Sequence, residues 1–155
     1  MKKFQSINGF SLVEMAIGLA VMTILILAIT MSSGIRDNAR SQSAANSIQT
    51  LRSAAENYLA SGKVNFAGMT VDRLKAVNLL PGNFNAGNSN PWGGDYILQA
   101  NAGNNTQFDV GVTGLTKIDA DKLSSYFNNT ASAVVFDEGK NTWTATFEAG
   151  RDFPY

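Results

Sequence analysis

The 155-residue sequence contains no cysteine and no histidine. The first absence excludes disulfides, zinc–thiolate centres and thiol nucleophiles, and the second removes the commonest general base and metal ligand. Charge is sparse as well, with 12 basic and 12 acidic residues and a formal net charge of zero. No basic face of the kind that neutralises phosphates is present, so direct nucleic-acid binding is not expected, nor is any cofactor. A chain without thiols is tolerated in reducing and oxidising compartments alike. Location must therefore come from a targeting segment, and at this length the chain has room for one small globular head.

From Met15 to Ile35 there is no charged residue and no proline. As a helix rising about 1.5 Å per residue, this stretch would be about 31 Å long, close to the hydrocarbon thickness of a bilayer. Thr23, Thr30, Ser32 and Ser33 can bond their hydroxyls back to helix carbonyls and do not oppose insertion. Lys2 and Lys3 ahead of the run favour a cytoplasmic amino end, although Arg36 and Arg40 beyond it weaken the asymmetry. A cleavable secretory signal would need a shorter apolar core and a small-x-small site at its end. The run is too long for that, and no Ala-x-Ala lies between Ile26 and Arg36. Glu14 is a lone carboxylate at the start of the span, where a charge needs a partner or a route to the interface.

The basic leader ending in Gly9, the aromatic Phe10, the carboxylate at Glu14 and the uninterrupted apolar span together resemble the processing signature of class III prepilins, the precursors of type IV pilins. The resemblance covers roughly the first quarter of the chain. It implies cleavage between Gly9 and Phe10 by a prepilin peptidase, N-methylation of Phe10, and Glu14 as the assembly carboxylate. It further implies residues 1–9 as leader, 10–35 as the transmembrane and polymerisation helix, and 36–155 as a periplasmic or extracellular head that includes the amphipathic half of the long helix. The implied partners are copies of the same chain in a helical filament, the peptidase, an inner-membrane pilus assembly platform, and the membrane before assembly. The precursor would sit in the bacterial inner membrane with its amino end cytoplasmic, and the filament outside the cell. Pairing the new amine of Phe10 with Glu14 of a neighbour would fix axial register, because breaking a buried ion pair costs about 3–5 kcal/mol.

Past the span, Ile48, Leu51, Ala55, Tyr58 and Leu59 recur at helical spacing and predict one continuous helix over Phe10 to Ser61, with Gln49, Arg52, Ser53, Glu56 and Asn57 on the opposite face and Gly62 as the stop. A short helix is expected over Val71–Asn78, capped by Thr70, then loop from Pro81 to Gly94. Strands are predicted over Asp95–Gln99, Gln107–Val112, Ala133–Asp137 and Thr142–Phe147, the last two as a hairpin. A further helix over Ile118–Phe127 is expected to start at Asp119 and to present Ile118, Leu123, Tyr126 and Phe127 along one side. The fold class is α+β: a long amino-terminal helix packed on a small antiparallel sheet, which matches the type IV pilin architecture. Asn90-Pro91-Trp92-Gly93-Gly94 resembles a loop of the PilS-like, type IVb pilins, including those of conjugative thin pili. The short leader and Phe10 are closer to the type IVa group, and the usual carboxy-terminal cysteine pair is missing. The edge near Arg151–Tyr155 must then be held by packing, with Trp143, Phe147 and Phe153 as candidates.

Several residues have a bland and a functional reading. Trp92 and Trp143 are read as packing rather than ligand-stacking aromatics. Asp119, Asp121, Asp137 and Glu138 lack the dense oxygen-ligand spacing of a calcium loop and are read as helix-start and turn carboxylates. Asn104-Asn105-Thr106 and Asn128-Asn129-Thr130 match a glycosylation acceptor pattern and are read as turns. Gly18 and Gly34 suit either a loosened helix or close helix packing. The function expected is a structural filament subunit serving adhesion, motility, DNA uptake or conjugation. A pseudopilin of a type II secretion system is the alternative. A membrane-anchored enzyme is disfavoured by the missing catalytic residue types.

Overall fold

The computed structural model describes residues 11–150; the side chains of residues 30–33 and 35 are not described. The leader, Gly9, Phe10 and the Arg151–Tyr155 edge with Phe153 lie outside the described residues. Seven elements follow in the order α1 (Leu12–Ala60), α2 (Val71–Ala76), β1 (Tyr96–Ala100), β2 (Gln107–Thr113), α3 (Lys117–Phe127), β3 (Ala133–Asp137) and β4 (Thr142–Glu148). This is the α+β, pilin-like arrangement that the sequence predicts. The chain divides into two compact units, with the boundary between Asp37 and Asn38.

In the second unit, α1 supplies one side of the core. Ala44, Ala45, Ile48, Leu51, Ala54, Ala55 and Tyr58 are buried, and Leu59 is half-buried. The helix stops where expected. Gly62 takes φ +93°, a left-handed conformation that costs glycine no Cβ clash, and its N–H and that of Lys63 donate to the Leu59 carbonyl at 3.0 and 3.2 Å. One residue departs from its predicted face. Arg52 is only 5 % exposed: its Nε donates to Glu56 Oε1 at 2.8 Å, and its guanidinium lies 5.2 Å from the centre of the Phe147 ring. A carboxylate one turn along and an aromatic face beneath allow this cation to cover the core margin.

The four strands form an antiparallel sheet in the order β1-β2-β4-β3. Strict alternation along β4 turns Trp143, Ala145 and Phe147 inward, opposite Val112, Val110 and Phe108 of β2, and Tyr96 and Leu98 of β1 belong to the same core. Phe108 and Phe147 stack at 5.5 Å, and Phe127 meets Phe147 edge-on at 5.9 Å. The third and fourth strands pair through Asp137 and Thr142 around a four-residue turn, as the hairpin reading requires. The first strand begins at Tyr96, one residue later than expected, because the Asp95 N–H is taken by the Thr113 hydroxyl at 2.8 Å. Burial raises the Tyr96 phenol above its ordinary value, partly offset by a hydrogen bond with Ser47 of α1.

The two short helices correct the sequence reading in detail. Thr70 caps α2 by accepting from Arg73 N at 3.2 Å, but the helix ends at Ala76, since Asn78 adopts φ +57°. The third helix is capped by Thr116, not started by Asp119. Thr116 Oγ1 accepts from Asp119 N at 3.3 Å and donates to Asp119 Oδ2 at 2.7 Å. At 3.6 residues per turn Ile118 and Phe127 lie on opposite sides of this helix, so Ala120, Leu123 and Phe127 share the core face while Ile118 is 69 % exposed and Tyr126 is exposed as well. Ser124 anchors the helix to the sheet: its Oγ accepts from Trp143 Nε1 at 2.9 Å.

Candidate functional site

In the first unit the site begins with a cap. Ser11 Oγ accepts from Glu14 N at 3.2 Å, and Glu14 Oε2 accepts from Ser11 N at 2.9 Å. This reciprocal pair is a capping box, which satisfies two amides that the first turn of α1 would otherwise leave unbonded. It turns the Glu14 carboxylate back toward the amino end of the helix. The Ser-x-x-Glu spacing that signals such a cap is visible in the sequence, and Ser11 is the site residue missed by the reading above.

Behind the cap, Leu12–Ile29 is long and apolar enough to cross a membrane, and Glu14 is its only charged residue. Every side chain in this stretch is exposed, including twelve large apolar ones. Water does not tolerate a patch of that extent on a monomer, so lipid or other protein must cover it. Burying each Leu, Ile, Val or Met contributes about 1.5–3 kcal/mol. The one described threonine of the span is internally satisfied, its Oγ1 donating to the Leu19 carbonyl at 2.8 Å. A Cβ at Gly18 or Gly34 would meet nothing within 4 Å, so neither glycine is required by packing within the chain.

The Asn90–Gly94 loop is a clamp inside the second unit. Asn90 is 5 % exposed, and both ends of its amide are used. Its Oδ1 accepts from Trp92 N and Gly94 N, each at 2.9 Å, and its Nδ2 donates to the Thr113 carbonyl at 2.8 Å and the Asp95 carbonyl at 3.3 Å. Gly94 passes so near the end of β2 that a Cβ there would lie 2.2 Å from the Thr113 carbonyl oxygen. Trp92 packs half-buried against the core, and its Nε1 is enclosed with no hydrogen-bond partner. The loop is thus explained by folding: it fastens the approach to β1 onto β2. Replacing Asn90 with alanine orphans at least three backbone groups, and the chain in detergent is expected to lose about 2–4 kcal/mol of stability in urea titrations followed by tryptophan fluorescence.

The remaining candidates take structural roles. Asp137 Oδ1 accepts from Gly139 N and Lys140 N at 3.0 and 3.2 Å, and Glu138 lies 3.6 Å from Lys117. Asn104 Oδ1 accepts from Thr106 N at 3.0 Å within a turn, and Asn128 is the C-cap of α3. Among the described residues, no three carboxylates gather as a metal centre would require.

Residues 5–30 match the family model for the prokaryotic N-terminal methylation motif. That stretch fits a class III prepilin or pseudopilin signal. The match spans the expected cleavage and methylation residues, Glu14 and most of the apolar helix, and it supports a precursor of pilin or pseudopilin type, a structural protein anchored in the membrane by this helix and processed by prepilin peptidase. Comparisons with curated proteins and with solved structures gave no match.

Proposed function

We propose that this protein is a structural subunit of a type IV pilus, cut between Gly9 and Phe10, methylated on Phe10, and polymerised through its amino-terminal helix into an extracellular filament. The observation that carries the proposal is the methylation motif running directly into a helical stretch, Leu12–Ile29, whose apolar side chains are all exposed. Lipid covers that surface in the precursor, and neighbouring copies cover it in the filament. The amino end of the precursor is cytoplasmic, and an inner-membrane platform drives extraction. A pseudopilin of a type II secretion system would share this signal. The resemblance of the Asn90–Gly94 loop to one in PilS-like pilins favours the pilus, and the proline-free span, itself a departure from the pilin pattern, mildly disfavours the main secretion pseudopilin. Shearing separates the two: a pilus subunit is recovered in filaments sheared from intact cells, whereas a pseudopilin stays with the envelope.

Glu14 is the assembly carboxylate in this reading. Glutamine preserves the capping-box acceptor but removes the charge, so Glu14→Gln isolates electrostatics from helix capping. The variant is expected to insert and be cut normally, while filaments in the sheared fraction fall at least tenfold. Wild-type filament yield from Glu14→Gln would remove Glu14 from the assembly mechanism.

A further inference from the structure

The second unit carries the pattern Asn-x-Thr twice, at Asn104-Asn105-Thr106 and at Asn128-Asn129-Thr130. Such a pattern accepts N-linked sugar only where the asparagine amide is open to a transferase, and the structure separates the two copies. The first lies in the loop between β1 and β2, with all three residues exposed. Its backbone is held from both sides, since Gln107 N donates to the Asn104 carbonyl at 2.9 Å and Asn104 N donates to Asn101 Oδ1 at 3.1 Å. Thr106 then gives both of its donors to one atom. Its N–H and its hydroxyl reach Asn104 Oδ1 at 3.0 and 2.7 Å. A backbone N–H can bond only the oxygen end of a carboxamide, so these contacts identify Oδ1 and leave Nδ2 without a hydrogen bond among the described residues. The second copy is arranged differently. Thr130 directs the same two donors to the Phe127 carbonyl, the N–H at 3.0 Å and the hydroxyl at 3.4 Å, and Asn128 is the helical C-cap of α3 at φ −54° and ψ −29°. Neither donor of Thr130 serves the Asn128 amide.

We propose that Asn104 is a site of N-linked glycosylation and that Asn128 is not. The donor is of the polyprenyl-diphosphate-linked oligosaccharide class, used by a membrane-bound oligosaccharyltransferase. Asn104 Nδ2 attacks C1 of the first sugar, and the new N–C bond forms as the C1–O bond to the diphosphate breaks. The diphosphate leaves with the bonding electron pair, and one Nδ2 proton passes to a base of the transferase. A carboxamide nitrogen is a weak nucleophile, because its lone pair is delocalised onto the carbonyl. Two donors on Oδ1 stabilise charge on that oxygen and make the Nδ2 protons more acidic, which eases their removal. Thr106 is thus a positioning residue for the transfer, acting through the Asn104 amide. Sugar on this loop adds hydrated bulk to a chain whose formal net charge is zero. The inference requires only that the head be exported, which the pilus and pseudopilin readings share, and it goes beyond both.

The test is the intact mass of the full-length protein made in its native cells and recovered from membranes and from sheared material. The wild-type chain should exceed its processed polypeptide mass by whole sugar residues, and fragmentation should place the increment on the peptide that contains Asn104. Asn104→Gln and Thr106→Ala should each remove the increment, whereas Asn128→Gln should keep it. Thr106→Ser restores the hydroxyl on a smaller side chain and should keep the increment as well, which a merely structural role for the threonine methyl would not produce. Wild-type protein at its bare polypeptide mass in both fractions would overturn the inference. So would an increment that survives Asn104→Gln, or one that is lost with Asn128→Gln. A bare chain can still be cut after Gly9 and sheared from cells, and a sugar-bearing chain can stay with the envelope, so failure here and failure of the pilus reading are told apart.

Discussion

Changing Gly9 to valine is expected to leave the precursor uncut and to abolish surface filaments, the largest functional effect of any single substitution in this chain. The cause is charge at the wrong end of an apolar helix. While the leader remains, Lys2 and Lys3 precede the span, where basic residues favour a cytoplasmic amino end. Drawing both ammonium groups into a bundle of apolar helices would cost several kcal/mol for each, whereas a cut chain brings only the Phe10 amine, for which Glu14 is available. Valine places a branched side chain beside the scissile bond where glycine offers none. The variant should accumulate in the membrane as a band nine residues longer than the mature chain on immunoblots. Filaments built from leader-bearing Gly9→Val subunits would contradict the charge argument.

Trp143→Ala is expected to have the largest effect on the head. Its ring is wholly buried, lies 5.6 Å from Phe127, and bonds through Nε1 to Ser124 of α3. Truncation removes the packing that joins the central strand β4 to α3 and opens a cavity beside Phe127, at a cost of about 3–5 kcal/mol. For a small domain that is a large part of the total stability. Urea titration of the detergent-solubilised chain, followed by circular dichroism, should show the transition of the head displaced to lower urea by that amount. Trp143→Phe, which keeps most of the packing, should recover most of the loss. A loss below about 1 kcal/mol for alanine would mean that the core is centred elsewhere.

Local chemistry made most of the architecture legible before any coordinates. Alternation in Thr142–Glu148, the turn at Glu138–Asn141 and the stop at Gly62 are short-range signals, and each corresponds to an observed feature. Where expectation and structure part, partners distant in sequence decide. Arg52 reads as a solvent-facing residue by type, yet Glu56 and the Phe147 ring hold it at the core margin. Ile118 reads as core, but it lies on the side of the helix opposite Phe127, and the face that meets the sheet buries Ala120 instead. The loop at Asn90 reads as a string of turn formers, and its organising bond runs to Thr113, 23 residues away, which no periodicity could announce. The candidate site was more legible than the head, since its chemistry is contiguous: Glu14 and the span follow one another, and the Ser11 cap could have been found from spacing alone.

Intact mass and amino-terminal sequencing of the protein from sheared surface material and from the membrane fraction decide whether the chain is processed and exported. The sheared species is expected to begin at Phe10 with a methylated amine, and the membrane pool to contain the longer precursor. A surface form that still begins at Met1, or one cut beyond Ile35, would contradict it.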